Sequence, residues 1–497
     1  MLLRIYFAFD RMAVSSEVCK NQSQEDGDFP KARQIFGLMG FLGFIAVFSM
    51  RSSMSIGIVK MVNHTAIPHI NSASSDHTCP TKSNITTHQQ KSEGEFIWDE
   101  PTQGIVLGSF FYGYVVTQIP AGRMAEIYGG KMIYGIGVLT CGIFTILTPF
   151  AARWNLLALL VVRFVAGLCE GVTYPAIHVM MSRWIPPLER STFSAFAYCG
   201  AYMGHFISSP LVGWLCSMEF LDGWPLGFYV TGMFGLLWFG FWIWLVYDWP
   251  STHPRISSKE LTYIEKFVKL RQDEVEDEET NTPWFEIMTC LPLWAIVITQ
   301  FGWLWVLCDL MLELPTYMHD ILKFDIQSNA TLSGLPSLAI FVIGYICSTL
   351  SELILKNTKI SLINSYRLWN SIGMVIPALG LIGVTYVGCN GFWAMFMLAG
   401  LGGFTGATNA SIQLNHIDLS PKYAGTLYAI TSTIGCMSGF IAPYVRGWII
   451  SEENTLAQWR YVFYLPAGLI LLGNLFYLKY VSTEEQSWSI GSKAVAN

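Results

Sequence analysis

Residues 156–181 read LLALLVVRFVAGLCEGVTYPAIHVMM. A helix needs about 20 mostly apolar residues to cross a bilayer, and this run supplies them. It nevertheless holds Arg163 and Glu170. The two lie almost two helical turns apart, so they share a face and are separated by roughly 10 Å along the axis. A charge in hydrocarbon costs about 2.5 kcal/mol or more. That face must therefore look at protein or at water held inside protein.

The rest of the chain decides between a membrane and a soluble core. Of its 497 residues 52% are hydrophobic and 13% charged, against about 25% charged in a soluble protein. A soluble helical protein of this size needs more polar surface. The 44 Gly, 32 Phe and 18 Trp suit membrane helices. Twelve segments have span character, near residues 36–60, 102–122, 131–150, 156–180, 192–216, 224–247, 288–314, 332–354, 368–388, 391–414, 424–447 and 460–480. An even number puts both ends on one side. Lys31, Arg33, Arg123, Lys131, Arg183, Arg190 and the basic residues of 255–271 fall on that side, which the positive-inside bias makes cytoplasmic. The apolar start, MLLRIYFAF, is short and charge-broken, so no cleaved signal peptide is expected.

This topology predicts five parts: a cytoplasmic tail 1–34, a six-helix bundle 35–247, a cytoplasmic linker 248–287, a second six-helix bundle 288–480 and a cytoplasmic tail 481–497. Loop 61–101 then lies outside and carries two glycosylation sequons, at Asn63 and Asn84. In the linker, ISSKELTYIEKFVKLRQ (256–272) predicts an amphipathic helix with Ile264, Phe267 and Val268 on one face. DEVEDEE (273–279) reads as a flexible acidic linker rather than a metal site. Four glycine pairs spaced four apart, Gly104/Gly108, Gly200/Gly204, Gly402/Gly406 and Gly435/Gly439, predict close helix contacts. The eleven cysteines show no CxxC pair and read as small apolar side chains, with Cys79 a disulfide candidate lacking an evident partner. There is no phosphate-binding loop, metal-ligand set or catalytic nucleophile pattern. The expectation is no enzyme, no cofactor, no metal and no nucleic-acid partner.

GRMAEIYGGK (122–131) resembles the loop signature of the major facilitator superfamily. Gly122, Glu126, Gly129 and Lys131 match it; Glu126 stands where Asp is usual and Gly130 where a basic residue is usual. In that family the loop latches one conformation. Glu126 is also suited to face a helix N-terminus. Further stretches, LGSFFYGYVVTQIPAG (107–122), EGVTYPAIHVMMSRWIPPLERS (170–191), HPRISSKE (253–260), ELPTYM (313–318) and NHIDLSPKYAGTLYAI (415–430), are similar to the anion/cation symporter family. This group includes sialin, the type I phosphate transporters and the vesicular glutamate transporters. The resemblance covers about residues 35–480. It implies an all-α membrane protein with the major facilitator superfamily fold, 12 transmembrane helices in two six-helix halves. It also implies carriage of a small organic or inorganic anion across a lipid bilayer, coupled to H+ or Na+.

The same resemblance carries residue roles. Arg51, Arg163 and His178 match family positions, and Glu170 matches the acid of proton coupling. A guanidinium grips carboxylate or phosphate two-pronged. Arg163 is the first candidate to bind the anion and Arg51 the second, either binding it or pairing with an acid when the cavity is empty, each with a permanent packing ion pair as the alternative. Glu170 can titrate in a site that alternates between wet and dry, or serve as a structural or gating residue. Asp309 is a second proton or cation candidate, or a solvent-facing acid at a helix end. Tyr112, Tyr114, Gln118 and Trp305 are candidates to line the cavity. Glu126, Lys131, His178, Asn415, His416 and Asp418 are read as gate and loop residues, and Pro120, Pro175 and Pro315 as kink sites.

Departures narrow the substrate. Leu107 replaces a histidine and Trp303 an arginine of the vesicular glutamate transporters. Leu304 and Cys308 replace the asparagine and tyrosine of the sialin and phosphate branches, and Ser53 an asparagine after Arg51. The preferred reading is a sialin-like, proton-coupled organic-anion transporter working by alternating access. Its rivals are a sodium-dependent phosphate cotransporter at the plasma membrane and a non-transporting receptor or scaffold. Plasma and lysosomal membranes both remain open.

Overall fold

Helices carry almost all of the described residues, as the apolar runs require. The computed structural model describes residues 31–63, 94–98, 100–186, 189–216, 218, 220, 223–268, 282–314, 317–318, 321–322, 324, 332–450 and 455–490. In order they form α1 (Ala32–Met61), α2 (Glu100–Tyr128), α3 (Gly130–Trp154), α4 (Leu156–Glu170), α5 (Thr173–Trp184), α6 (Arg190–Cys216) and α7 (Trp224–Leu245). A short α8 (Ser258–Val268) and α9 (Trp284–Thr289) lead to α10 (Leu291–Cys308), which continues as a π-helical turn, Asp309–Glu313. Then come α11 (Leu335–Asn357), α12 (Leu362–Val387), α13 (Gly391–Met395), α14 (Ile412–Leu419), α15 (Ala424–Cys436), α16 (Ser438–Ile449), α17 (Leu456–Tyr480) and α18 (Ser487–Ile490). The sequons' Asn84, Cys79, Pro315, the acidic stretch 273–279 and the side chains of Phe267 and Val268 lie outside the described residues.

Among the described residues, 10 helices are long and apolar enough to cross a membrane. Two segments that the sequence reading counts as spans are not among them, for visible reasons. α6 is a continuous 27-residue helix, but its apolarity is diluted by Gly200, Gly204, His205, Ser208 and Ser209. Its small face seats against α1, where a Cβ on Gly204 would lie 2.8 Å from the Ile45 carbonyl oxygen. Segment 391–419 is broken into α13, a π turn (Phe396–Leu401), a buried 3-10 stretch (Gly402–Ala410) and α14. Interrupted backbone is tolerated at such depth because it is buried in protein. Gly104 and Gly108 correct one expectation: a Cβ on either would meet nothing within 4 Å, so they mark no helix contact.

The two largest of the apolar clusters among the described residues organise the molecule. One gathers Phe36, Phe44, Tyr134, Trp184 and Trp242 with Ile264 of α8. The other gathers Trp303, Leu310, Tyr317, Trp459 and Tyr477, and Tyr202 of α6 packs into it. The eight free cysteines described are buried or partly buried, as small apolar side chains should be. Cys389 is disulfide-bonded.

The linker helix α8 is fastened to the first core by its buried Ile264. Glu260 accepts from the backbone N–H of Ala32 at 3.0 Å and of Arg33 at 3.1 Å, so it caps the start of α1 from a distant segment. Arg33 pairs with Glu189 and Glu260, and the Tyr263 hydroxyl donates to Glu189 at 2.9 Å. Burial and the neighbouring Glu189 push the Tyr263 phenol up. His253 accepts at Nδ1 from the Arg255 N–H, 3.1 Å away, which leaves Nε2 to donate to the Leu245 carbonyl at 3.3 Å. Burial holds this imidazole's pKa down, in keeping with a neutral ring that locks the end of α7.

Candidate functional site

α4 begins under a side-chain cap, Asn155 Oδ1 accepting from the Ala158 N–H at 2.7 Å. It ends at Glu170, where Gly171 and Val172 interrupt the helix before α5. The interruption sits on α2: Gly167 touches the Phe110 carbonyl, and a Cβ on Gly171 would fall 2.5 Å from the Tyr114 carbonyl oxygen. This close approach holds the Glu170 carboxylate at depth, 1% exposed. Arg51 of α1 reaches it, with Nη2 2.6 Å from Oε1. The Arg51 guanidinium lies among Phe48, Phe110 and Tyr114, each ring centre 4.8 Å away. Arg163 sits 5.0 Å from the Phe110 ring, so one ring lies against both guanidiniums. Glu170 acts on Arg163 electrostatically, but no ion pair joins them within 4 Å.

Beside this pair lies a cavity of about 120 Å³. Arg51, Ser52 and Ser55 of α1, Tyr114 of α2 and Tyr174 of α5 form one wall. Gln300, Trp303, Leu307, Cys308 and Met311 form another, with Ser432, Cys436 and Ser438 beside them. Among the described residues that line it, Arg51 is the sole permanent charge and no carboxylate is present. Such a space favours an anion. Of the sequence candidates, Arg51 and Tyr114 line this cavity and Arg163, Tyr112, Gln118 and Trp305 do not. Tyr112 is half-exposed, and Gln118 is buried with Nε2 3.6 Å from Cys436 Sγ. Ser53 turns away, its hydroxyl 3.0 Å from Thr231 Oγ1.

One end of the bundle, where α1 starts and α2 ends, is sealed. Glu126 accepts from the Thr426 N–H at 2.8 Å and the Thr426 hydroxyl at 2.9 Å. Thr426 is in the first turn of α15, so Glu126 fills donors that a helix start leaves open. Arg123 holds the same carboxylate at 3.2 Å. The helices touch here: a Cβ on Gly122 would lie 2.6 Å from the Gly425 carbonyl oxygen. Gly129 takes φ +93°, and the turn it permits brings the Lys131 N–H to Asp248 Oδ1 at 2.8 Å. His178 stacks on Tyr428 at 3.9 Å and has Nε2 3.1 Å from the Gln413 carbonyl. His416 meets Thr431 Oγ1 at 2.7 Å, and Asn415 donates to the Tyr477 hydroxyl at 3.2 Å. Asp418 accepts from Tyr366 and lies 4.0 Å from Arg190.

The Major Facilitator Superfamily profile matches residues 39–443. The chain belongs to the major facilitator superfamily. Within it the chain falls in the group of sialin, inorganic phosphate cotransporters and vesicular glutamate transporters. Human sialin is 37% identical over 469 residues, 92% of this chain and 91% of that protein. A Drosophila melanogaster putative inorganic phosphate cotransporter is 37% identical, covering 92% and 86%. Bovine vesicular glutamate transporter 1 is 33% identical, covering 92% and 78%. The solved proton:xylose symporter XylE superposes with TM-score 0.66 at 12% identity, covering 94% of this chain and 99% of that one. This superfamily member is thus a multi-pass membrane protein and not an enzyme. No group of three or more His, Cys, Asp or Glu among the described residues is placed to hold a metal ion.

Several site residues escape sequence reading. Tyr202 and His205 line the cavity from α6, where the glycine pair is the louder signal. His205 Nδ1 is 3.1 Å from Ser337 Oγ on α11. Glu313 and Arg446 form an ion pair beside Asp309. Asp309 itself is 5% exposed, which corrects its reading as a solvent-facing acid at a helix end.

Proposed function

We propose that this chain is a secondary transporter of small organic anions, works by alternating access and couples to protons at Glu170. One observation carries the reading: the cavity's single described cation, Arg51, is already ion-paired to a carboxylate sealed behind the wall. A guanidinium presents several donors in a fixed fork. It can hold Glu170 on one side and an arriving anion on the other. Two negative groups then share one cation, which favours a proton on Glu170. Anion and proton thereby promote each other's binding by the same factor. With both bound or neither bound, the centre carries the same charge. With only one bound it differs by a unit, and a changed charge is costly to carry through a dry intermediate. That asymmetry is symport.

In this reading α6 and segment 391–414 are the fifth and tenth of twelve spans. Residues 35–247 and 288–480 are the two moving halves, 248–287 the cytoplasmic linker, and 1–34 and 481–497 cytoplasmic tails. The bias of basic residues places the sealed end in the cytoplasm. Glu126, Lys131, His178, Asn415, His416 and Asp418 are its gate, and the cavity faces outward. Asn63, partly exposed at the far end of α1, is then an outer glycosylation site together with Asn84. Plasma and lysosomal membranes both supply a usable proton gradient, and immunolocalisation in the native cell separates them.

A second reading has its own support, because relatives described as putative inorganic phosphate cotransporters are 37–38% identical, as high as sialin. Uptake into proteoliposomes separates the two. Sialic acid, glutamate and inorganic phosphate are offered under an imposed proton gradient or an imposed sodium gradient. Proton-driven accumulation of an organic anion is expected. Phosphate uptake driven by sodium alone supports the second reading. Absence of flux for every anion, from folded protein, favours a receptor or scaffold.

A further inference from the structure

The cation and acids in the second half are not used by this scheme. Asp309 and Glu313 bound the π-helical turn that ends α10. A π turn holds more residues than an α turn and recurs at functional sites. Here it brings two carboxylates four positions apart onto one side of the helix. Glu313 is 3% exposed and Asp309 5%. Arg446 of α16 pairs with Glu313. Asp309 has no such partner: its Oδ2 is buried without a hydrogen bond, and no ion pair reaches it within 4 Å. Among the described residues, Glu313 and Arg446 are the charged groups that act on it. The other titratable neighbours are thiols, Cys308 next in the chain and Cys436, which acts on Cys308.

The charge count is two carboxylates against one guanidinium. Leaving the surplus carboxylate ionised at this depth is costly. A proton on Asp309 neutralises the group and lets Glu313 keep Arg446. A sodium ion fits less well, since it needs several oxygen ligands and Arg446 already occupies Glu313 with positive charge. The group also touches the moving parts. Cys308 and Met311, on either side of Asp309, line the cavity, as does Ser438 at the start of the helix that carries Arg446. If α10 and α16 part, Arg446 leaves the two acids facing each other, and like charges hold a proton more tightly.

We propose that Asp309, Glu313 and Arg446 form a second proton-binding site in the C-terminal half, with Asp309 the group that takes the proton. The inference rests on the transport reading for its purpose, to let proton binding report the separation of α10 from α16. The test does not depend on flux. Infrared difference spectra of the purified full-length protein in lipid, between acidic and alkaline buffer, are recorded for wild type and variants. Two titrating buried carboxyl bands are expected. Glu170→Gln removes one and Asp309→Asn the other, while Asp309→Glu restores a band. Arg446→Gln raises the proton affinity of the Asp309 band at least about tenfold, because an opposing charge is gone. The proposal is overturned if Asp309→Asn removes no band, if Arg446→Gln leaves that titration unmoved, or if sodium at constant pH displaces the Asp309 band. Should Asp309→Asn fail to fold, the Arg446→Gln shift decides alone. If the Asp309 site titrates while uptake is absent, the transport reading fails and this one stands.

Discussion

The two halves each bury an arginine–glutamate pair, and the pairs leave opposite remainders. In the first half Arg51 and Arg163 face one carboxylate, Glu170. In the second, Asp309 and Glu313 face one guanidinium, Arg446. The pairs are otherwise alike. Arg51 is 22% exposed and its acid 1%; Arg446 is 23% exposed and its acid 4%. In both, the cation is partly exposed and the carboxylate is buried. A buried ion pair alone is weak evidence even of stability; the first pair carries a functional reading because its cation also lines the cavity, which Arg446 does not. The surplus charge is what biases each cluster toward a ligand: an extra cation favours an anion at Arg51, where the cavity opens, and an extra carboxylate favours a proton.

Replacing Arg51 breaks the comparison most severely. Arg51→Gln removes the cavity's cation and strands Glu170. Charge-assisted hydrogen bonds contribute about 1.5–3 kcal/mol each, so losing a two-pronged grip lowers anion uptake at least about 100-fold. Uptake in proteoliposomes, with size-exclusion profiles as the folding control, measures it. Retained uptake would remove Arg51 from the site. Glu170→Gln comes next and acts differently. The anion still finds Arg51, but no proton need accompany it. Accumulation against a gradient is lost while exchange of labelled for unlabelled anion persists. Loss of both would make Glu170 a structural residue.

The sealed end contrasts with both clusters, because backbone contact rather than charge limits it. Gly122→Ala places a Cβ 2.6 Å from the Gly425 carbonyl oxygen, and backbone cannot swing aside. The variant shifts the population toward the state with that end parted. Weakening Glu126's charge-assisted bonds to Thr426 in the process costs about 1.5 kcal/mol, roughly tenfold in population. Spin-label distances across the sealed end should lengthen. Unchanged distances would show that this contact does not gate.

Sequence reading reaches part of this arrangement and stops for geometric reasons. The span at 156–184 declares itself by its apolarity, and Glu126 by its place in the loop signature. Which helix completes an ion pair is invisible along the chain, since Arg51 and Glu170 meet only after folding. Helical rotation explains the lining candidates. Positions two apart are about 200° apart around a helix. Tyr114 therefore faces the cavity while Tyr112 faces away, and Trp303 faces it while Trp305 does not. Glu313 and Arg446 are not picked out as a pair along the chain, because a π turn leaves no local signature and the two meet only after folding. Arg163 is the first anion candidate from its guanidinium donors and its family position, but Arg51 is the arginine that lines the cavity, and the Phe110 ring lies against both guanidiniums.

Arg163 supplies the finest test of the remainder idea. It does not line the cavity, and no ion pair within 4 Å holds it, so its removal costs no direct grip on an anion. Its charge still acts at a distance. At roughly 10 Å and an effective dielectric of about 20, a unit charge is worth about 1.7 kcal/mol, and water in the cavity reduces this to about 1 kcal/mol. Arg163→Gln keeps the side chain's polar body against Phe110 and deletes the charge. KM for the anion should rise roughly fivefold with the maximal rate retained, and the rise should shrink as salt screens the field. A collapse of the maximal rate would mean that Arg163 joins the moving centre directly. An unchanged KM would mean that the first half's surplus cation does not select the anion, and that Arg51 carries selection by contact alone.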